Sequence, residues 1–156
     1  MGAAVIAPII SLDEDESPNN ALDIPFPKDG LKLSFVREFL DFCGGREKLL
    51  GLTTTEVCRL FVKPATESSK LSFCDWLKQQ NHPSVGKGEV FISHAWKFKF
   101  LDVTDALQYH FADKPDIIIW FDMFSNNQHK AVDLDFNWCC NTFKSTIQDF
   151  SYTVMV

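Results

Sequence analysis

Glu89-Val90-Phe91-Ile92-Ser93-His94-Ala95-Trp96 decides how this chain is read. Gly86 and Gly88 open the stretch, and Val90, Phe91 and Ile92 form a continuous apolar run. A run too short for a helix, rich in β-branched and aromatic residues, suits a strand covered on both faces, as in a parallel sheet. Ser93, His94 and Trp96 then fall at the strand's carboxyl end, where open α/β sheets place their ligands.

Downstream, the pattern alternates. Val103, Ala106, Leu107, His110 and Phe111 form an apolar helical stripe, broken at Asp113-Lys114-Pro115. Asp116-Ile117-Ile118-Ile119-Trp120-Phe121 is a second buried strand, ending in Asp122 and a polar loop over 125–130. Phe136, Cys140, Phe143, Ile147 and Phe150 then share one helical face, and Tyr152 to Val156 opens a third strand. Alternating strands and helices imply parallel strands joined by crossovers, with the first strand placed between the second and third. The third strand is apolar and carries no terminating turn or charge. The chain is therefore expected to be the front part of a longer protein.

Upstream, residues 31–85 read as a small helical module. Leu33, Val36, Phe39, Leu40 and Cys43 have helical spacing up to Gly44-Gly45. Thr53-Thr54-Thr55-Glu56 fits a capping box ahead of Val57, Leu60 and Phe61, and Pro64 ends that helix. A third helix spans about Ser69 to Gln80, closed by Asn81-His82-Pro83. Residues 1–30 read as an acidic, proline-rich, solvated tail, with prolines at 18, 25 and 27.

Composition excludes some functions. Net charge is −6; the first thirty residues hold six acids against one base, a net of −5, which leaves −1 for the rest. There is no basic stripe for nucleic acid or anionic lipid. No apolar run approaches the roughly 18–20 residues of a membrane helix. Met1 to Ile10 lacks the basic start of a secretory signal. The five cysteines, an odd number without regular spacing, read as small core residues of a reduced, cytoplasmic protein.

Glu89 to Trp96 resembles the first conserved box of Toll/interleukin-1 receptor (TIR) domains, in its "Phe-Ile-Ser-His-Ala-Trp" form similar to a divergent subgroup of microbial eukaryotes. Leu52 to Cys58 and Ile119 to His129 are also similar to that subgroup. The likeness to TIR domains proper covers about residues 88–156, the front half of such a domain, so that 86–156 reads as its N-terminal part. It implies an α/β, flavodoxin-like, three-layer parallel sheet, here incomplete with about three strands after the helical module. It also implies signalling by association with other TIR-like domains or with itself and, in some members, NAD cleavage. Ser93, His94, Trp96, Lys97 and Asp122 would border the nucleotide cleft, and Phe124, Asn126, Asn127, Gln128 and His129 would lie in the interaction loop. The loop lacks the Arg-Asp-x-x-Pro-Gly pattern of receptor members. The family's catalytic glutamate is expected beyond residue 156, so no catalytic residue is assigned, no cofactor is required, and NAD remains possible.

Each site residue has a plainer reading. Adjacent residues on a strand point to opposite faces, so Ser93 and His94 are not expected to pair as nucleophile and base. Ser93 suits a turn or cap. Trp96 either stacks on a ligand ring or packs against the helical module. Asp122 either holds a ribose hydroxyl or caps a turn. His129, Cys139 and Cys140 lack the paired spacing of a zinc site, so no metal is expected. His110 is expected in the core, and His82 in a loop.

Overall fold

The computed structural model describes residues 25–130 and 144–156. Five strands form one sheet: β1 (Asp29–Lys32), β2 (Val85–Lys87), β3 (Val90–Ser93), β4 (Ile118–Phe121) and β5 (Tyr152–Met155), in the spatial order β2-β1-β4-β3-β5. β3 pairs in parallel with β4 and with β5, so the strand of the opening stretch does sit between the other two.

The expected sheet of about three parallel strands gains two more. β1 runs antiparallel to both β2 and β4, so the sheet is mixed. Both added strands are short and carry glycine. At Gly30 an added Cβ would lie 2.2 Å from the Ile119 carbonyl oxygen, so the close approach of β1 to β4 requires a residue without a side chain. Leu33, expected on a helix, is buried just after β1 like Leu31 within it, and the helix begins only at Phe35.

The sheet is covered on both faces, as a continuous apolar strand demands. Val90, Ile92, Ile119 and Phe121 join the main core, which also holds Phe35, Val36 and Phe39 of α1 (Phe35–Phe42), Phe73 and Leu77 of α4 (Phe73–Gln79), and Val103 and Leu107 of α5 (Phe100–His110). Helices of segment 31–85 therefore share one core with the sheet. On the opposite face Phe91, Trp120 and Phe150 form a second cluster against Phe26 and Ile147. Phe26 stacks on Trp120 at 5.1 Å, and the Trp120 indole donates to the Pro27 carbonyl at 2.8 Å. Residues 25–30, read as tail, are thus packed and end in β1. Of the stripe expected over 136–150, Ile147 and Phe150 face the sheet, whereas Phe136, Cys140 and Phe143 lie outside the described residues, as do Cys139 and residues 1–24.

Two helices differ in phase from their sequence patterns. The Thr53–Glu56 capping box forms and starts α2 (Thr54–Val57). This run then widens into a π-helical turn over Cys58–Val62, closed by the Lys63 N–H to the Cys58 carbonyl, before α3 (Lys63–Ala65). The extra residue rotates the stripe: Val57, Cys58 and Val62 are buried, while Leu60 turns outward. In α5 the buried set is Phe100, Leu101, Val103, Thr104 and Leu107, continued by Phe111. Ala106 and His110 are exposed, so His110 is not the core histidine its spacing suggested. Among the described residues, no helix is long and apolar enough to cross a membrane.

Candidate functional site

Because β3 and β4 are parallel with Ile92 beside Phe121, both strands end at the same edge. The next residues, His94 and Asp122, become neighbours. Asp122 opens α6 (Asp122–Ser125), where its Oδ1 accepts the Met123 N–H at 2.8 Å. After His94 the chain turns tightly, the Phe98 N–H reaching the Ala95 carbonyl, and the Trp96 indole Nε1–H donates to Asp122 Oδ2 at 2.5 Å.

The helical segment closes the site from the other side. The capping box leaves two N–H groups at the start of α2 pointing outward. The Thr54 N–H bonds the Phe98 carbonyl at 3.0 Å and the Thr55 N–H bonds the Trp96 carbonyl at 3.2 Å. This docking places the buried Thr54 hydroxyl 3.2 Å from His94 Nε2. The imidazole stacks on Phe121 with ring centroids 4.5 Å apart.

His94 Nδ1 has no hydrogen-bond partner and is sealed from solvent. Its nearest charged neighbour is Asp122 Oδ1, 3.9 Å away. The environment holds both groups off their ordinary behaviour. Burial pushes His94 down to about 4, so the ring is neutral at physiological pH. Burial pushes Asp122 up to about 6 against the opposing bonds from Trp96 and Met123.

Ser93, His94 and Asp122 line a recess of about 100 Å³ together with Phe91, Ile92, Trp120 and Asn126. Three of the expected cleft residues are thus brought together. Trp96 borders them through Asp122, with its polar atom spent there and its ring packed against the main core. Lys97 is exposed on the turn and does not line the recess. The ring nitrogens of His94 face Thr54 and Asp122 rather than Ser93, so the two adjacent residues form no nucleophile and base. Thr54 was missed as a site residue. Its signal was the capping box, which fixes the helix start but not what the hydroxyl touches.

Of the residues expected in the interaction loop, Phe124 is buried within α6, whereas Asn126, Asn127, Gln128 and His129 are half-exposed. Phe124 is 2% exposed and its ring meets Phe39 at 4.9 Å, Phe73 at 5.4 Å and Phe121 at 5.7 Å. A ring enclosed by three others is core, not contact surface. The Gln128 amide donates to the Asp122 carbonyl at 2.9 Å and the Asn127 amide to the Lys70 carbonyl at 2.7 Å. His129 Nε2 lies 2.8 Å from the buried Thr66 hydroxyl. Asn126 faces the recess. Polar residues of this loop satisfy their neighbours' backbone and side chains, which the sequence could not distinguish from a solvated surface.

Among the described residues, no group of three or more histidine, cysteine, aspartate or glutamate side chains is placed to hold a metal. Cys43, Cys58 and Cys74 are buried free thiols, each pushed up to about 12 by burial and hence unreactive. A wider depression of about 460 Å³, lined by Leu33, Ser34, Arg37, Gln108, Phe111 and Pro115, lies at the far end of α5 and shares no residue with the recess.

No protein-family model matches the chain, and no curated protein or solved structure is significantly similar to it.

Proposed function

We propose that the chain is a TIR-like, flavodoxin-like association module that works in the cytoplasm by pairing with copies of itself or with other TIR-like domains. The observation that carries this reading is β5. It pairs with β3 on one side only, and among the described residues no strand lies along its other edge. Met155 is 84% exposed and Tyr152 41%. The strand holds no charge, proline or glycine, the usual devices that keep a sheet edge from recruiting another chain. The parallel order β4-β3-β5 supports the TIR-like reading. The reading puts the contact at this edge rather than at Phe124, which is buried.

The alternative, an NAD-binding or NAD-hydrolysing enzyme, fits the recess poorly. Small-molecule sites usually measure about 300–1,000 Å³, against about 100 Å³ here. Trp96 and Asp122 are already bonded to each other.

Light scattering over a concentration series tests the association. The mass of the chain is expected to rise with concentration. A variant carrying Tyr152→Lys and Met155→Lys, with charge on the open edge, is expected to stay monomeric. A parent chain that stays monomeric throughout sinks the reading. Incubation with NAD tests the alternative: no nicotinamide release is expected, and sustained turnover would restore the enzyme.

A further inference from the structure

The Arg37 guanidinium makes no hydrogen bond or ion pair among the described residues, whereas the Arg46 guanidinium is held at two nitrogens by Asp105. Arg37 also stands in the first turn of α1, where the helix dipole disfavours a cation. The fold gains nothing from a positive charge at this position.

Arg37 lines the depression of about 460 Å³ at the far end of α5. The floor there is apolar: Leu33 and Phe111 are buried, and Pro115 adds a third ring or branched surface. The Gln108 amide also lines it, half-buried and without a side-chain partner among the described residues. Backbone bonds fix the walls. The Leu33 N–H reaches the Ile117 carbonyl at 2.9 Å, the Ser34 N–H the Pro115 carbonyl at 2.7 Å and the Phe111 N–H the Leu107 carbonyl at 2.9 Å. A site already formed loses little affinity to ordering. Its volume falls within the range of about 300–1,000 Å³ usual for small-molecule sites, which likewise combine apolar walls with a few polar groups.

Charge selects the ligand. Arg37 is the one charged residue lining the depression among the described residues. Asp116 lies close by, accepting from the Ser34 hydroxyl at 2.8 Å, and the exposed Asp113 and Lys114 on the adjoining turn offset each other. One cation with an acid nearby is a poor match for a dianion such as a phosphate monoester. A planar monoanion matches a single guanidinium, which holds a carboxylate by two parallel hydrogen bonds.

We propose that this depression binds a small monocarboxylate with a branched or aromatic body, the carboxylate on Arg37 and the body over Leu33, Phe111 and Pro115, beside the Gln108 amide. The site shares no residue with β5 or with the recess at His94, so it stands or falls apart from self-association.

Phenylacetate titrated into the full-length chain, followed by nitrogen NMR of the Arg37 Nε–H and the Gln108 side-chain amide, is the test. Both signals are expected to shift saturably in the millimolar range, on the order expected of about ten non-hydrogen atoms. Phenylacetamide has the same shape without the charge and is expected to bind at least about tenfold more weakly, the worth of hydrogen bonds to a charged group. Arg37→Gln, a change at an exposed position, is expected to weaken phenylacetate at the Gln108 amide by a similar factor. Arg37→Lys is expected to weaken it several-fold, because an ammonium lacks the fork. A backbone amide spectrum like the parent's shows that each variant folds. No shift with phenylacetate, or one linear in its concentration, overturns the proposal. Phenylacetamide bound as tightly as phenylacetate overturns it, and so does undiminished binding by Arg37→Gln. Inorganic phosphate bound as tightly as phenylacetate makes this a site for an adventitious ion only and overturns it too.

Discussion

Trp96 donates its indole N–H to Asp122 across 26 residues of chain, and this bond joins the turn after β3 to the start of α6. It consumes the one polar atom of Trp96 and one of the two oxygens of a carboxylate that burial already disfavours. The bond is therefore part of what makes a buried acid tolerable at this edge.

Replacing Trp96 by phenylalanine keeps most of the ring but leaves Asp122 Oδ2 short of a donor. An unsatisfied buried group costs about 1–3 kcal/mol. Urea unfolding of Trp96→Phe is expected to show a loss in that range, and Trp96→Phe with Asp122→Asn a smaller loss than the two single changes combined. Strict additivity would mean that the two side chains do not act as a pair.

Stability should depend on pH through two opposed slopes. Folded Asp122 titrates at about 6 against an ordinary 3.8. It keeps a proton that the unfolded chain has released, so its contribution falls as pH rises from about 4 to 6. Folded His94 titrates at about 4 against 6.5. It refuses a proton that the unfolded chain takes up, so its contribution is lost as pH falls from about 6.5 to 4. In the shared window the two partly cancel. Asp122→Asn removes the first slope alone, so its stability is expected to climb more steeply than the parent's from pH 4 to 6, by roughly 2 kcal/mol across the window. Urea midpoints at several pH values measure this, and parallel profiles for the two proteins would refute it.

Phe124 and Asn127 separate a core from a surface within one loop. Phe124→Ala empties a site among Phe39, Phe73 and Phe121 and is expected to cost about 3–5 kcal/mol. Asn127→Ala loses one exposed bond to the Lys70 carbonyl and is expected to cost less than about 1 kcal/mol. Thermal unfolding ranks them. Neither folded variant is expected to change the mass measured by light scattering, because neither residue lies on β5. Loss of self-association in folded Asn127→Ala would return the contact to this loop.

Of the three parallel strands, β3 and β4 were legible because Val90-Phe91-Ile92 and Ile117-Ile118-Ile119 are runs whose composition suits little else, and their parallel order follows from the helix between them. β1 was not legible. Asp29-Gly30-Leu31-Lys32 is short, and the Leu33 that follows it fits the helical spacing of Val36 and Phe39, so the longer pattern prevailed. The phase of residues 57–62 was hidden for another reason: a π turn adds a residue that no apolar spacing announces. At the site, Ser93, His94 and Asp122 followed from their place at strand ends. Thr54 and the bond from Trp96 are tertiary contacts between segments 26 or more residues apart, which a local pattern does not encode.

Gly30 and Gly86 test whether β1 and β2 hold the sheet as described. A Cβ at Gly30 would meet the Ile119 carbonyl oxygen at 2.2 Å and the Ile119 carbonyl carbon at 2.8 Å. Both are backbone atoms of the neighbouring strand and cannot move without parting β1 from β4. A Cβ at Gly86 would meet the Ile118 Cδ1 at 2.5 Å, the far end of a side chain that can rotate away. Gly30→Ala is therefore expected to cost at least about 3 kcal/mol, at the severe end of overpacking. In Gly86→Ala the repacking of Ile118 is set against the lower entropy of an unfolded chain with one glycine fewer, worth about 0.4–1 kcal/mol. Its unfolding midpoint is expected to stay close to the parent's. Equal midpoints for the two variants would show that β1 does not pack against β4 at Gly30, and the five-stranded order would have to be redrawn.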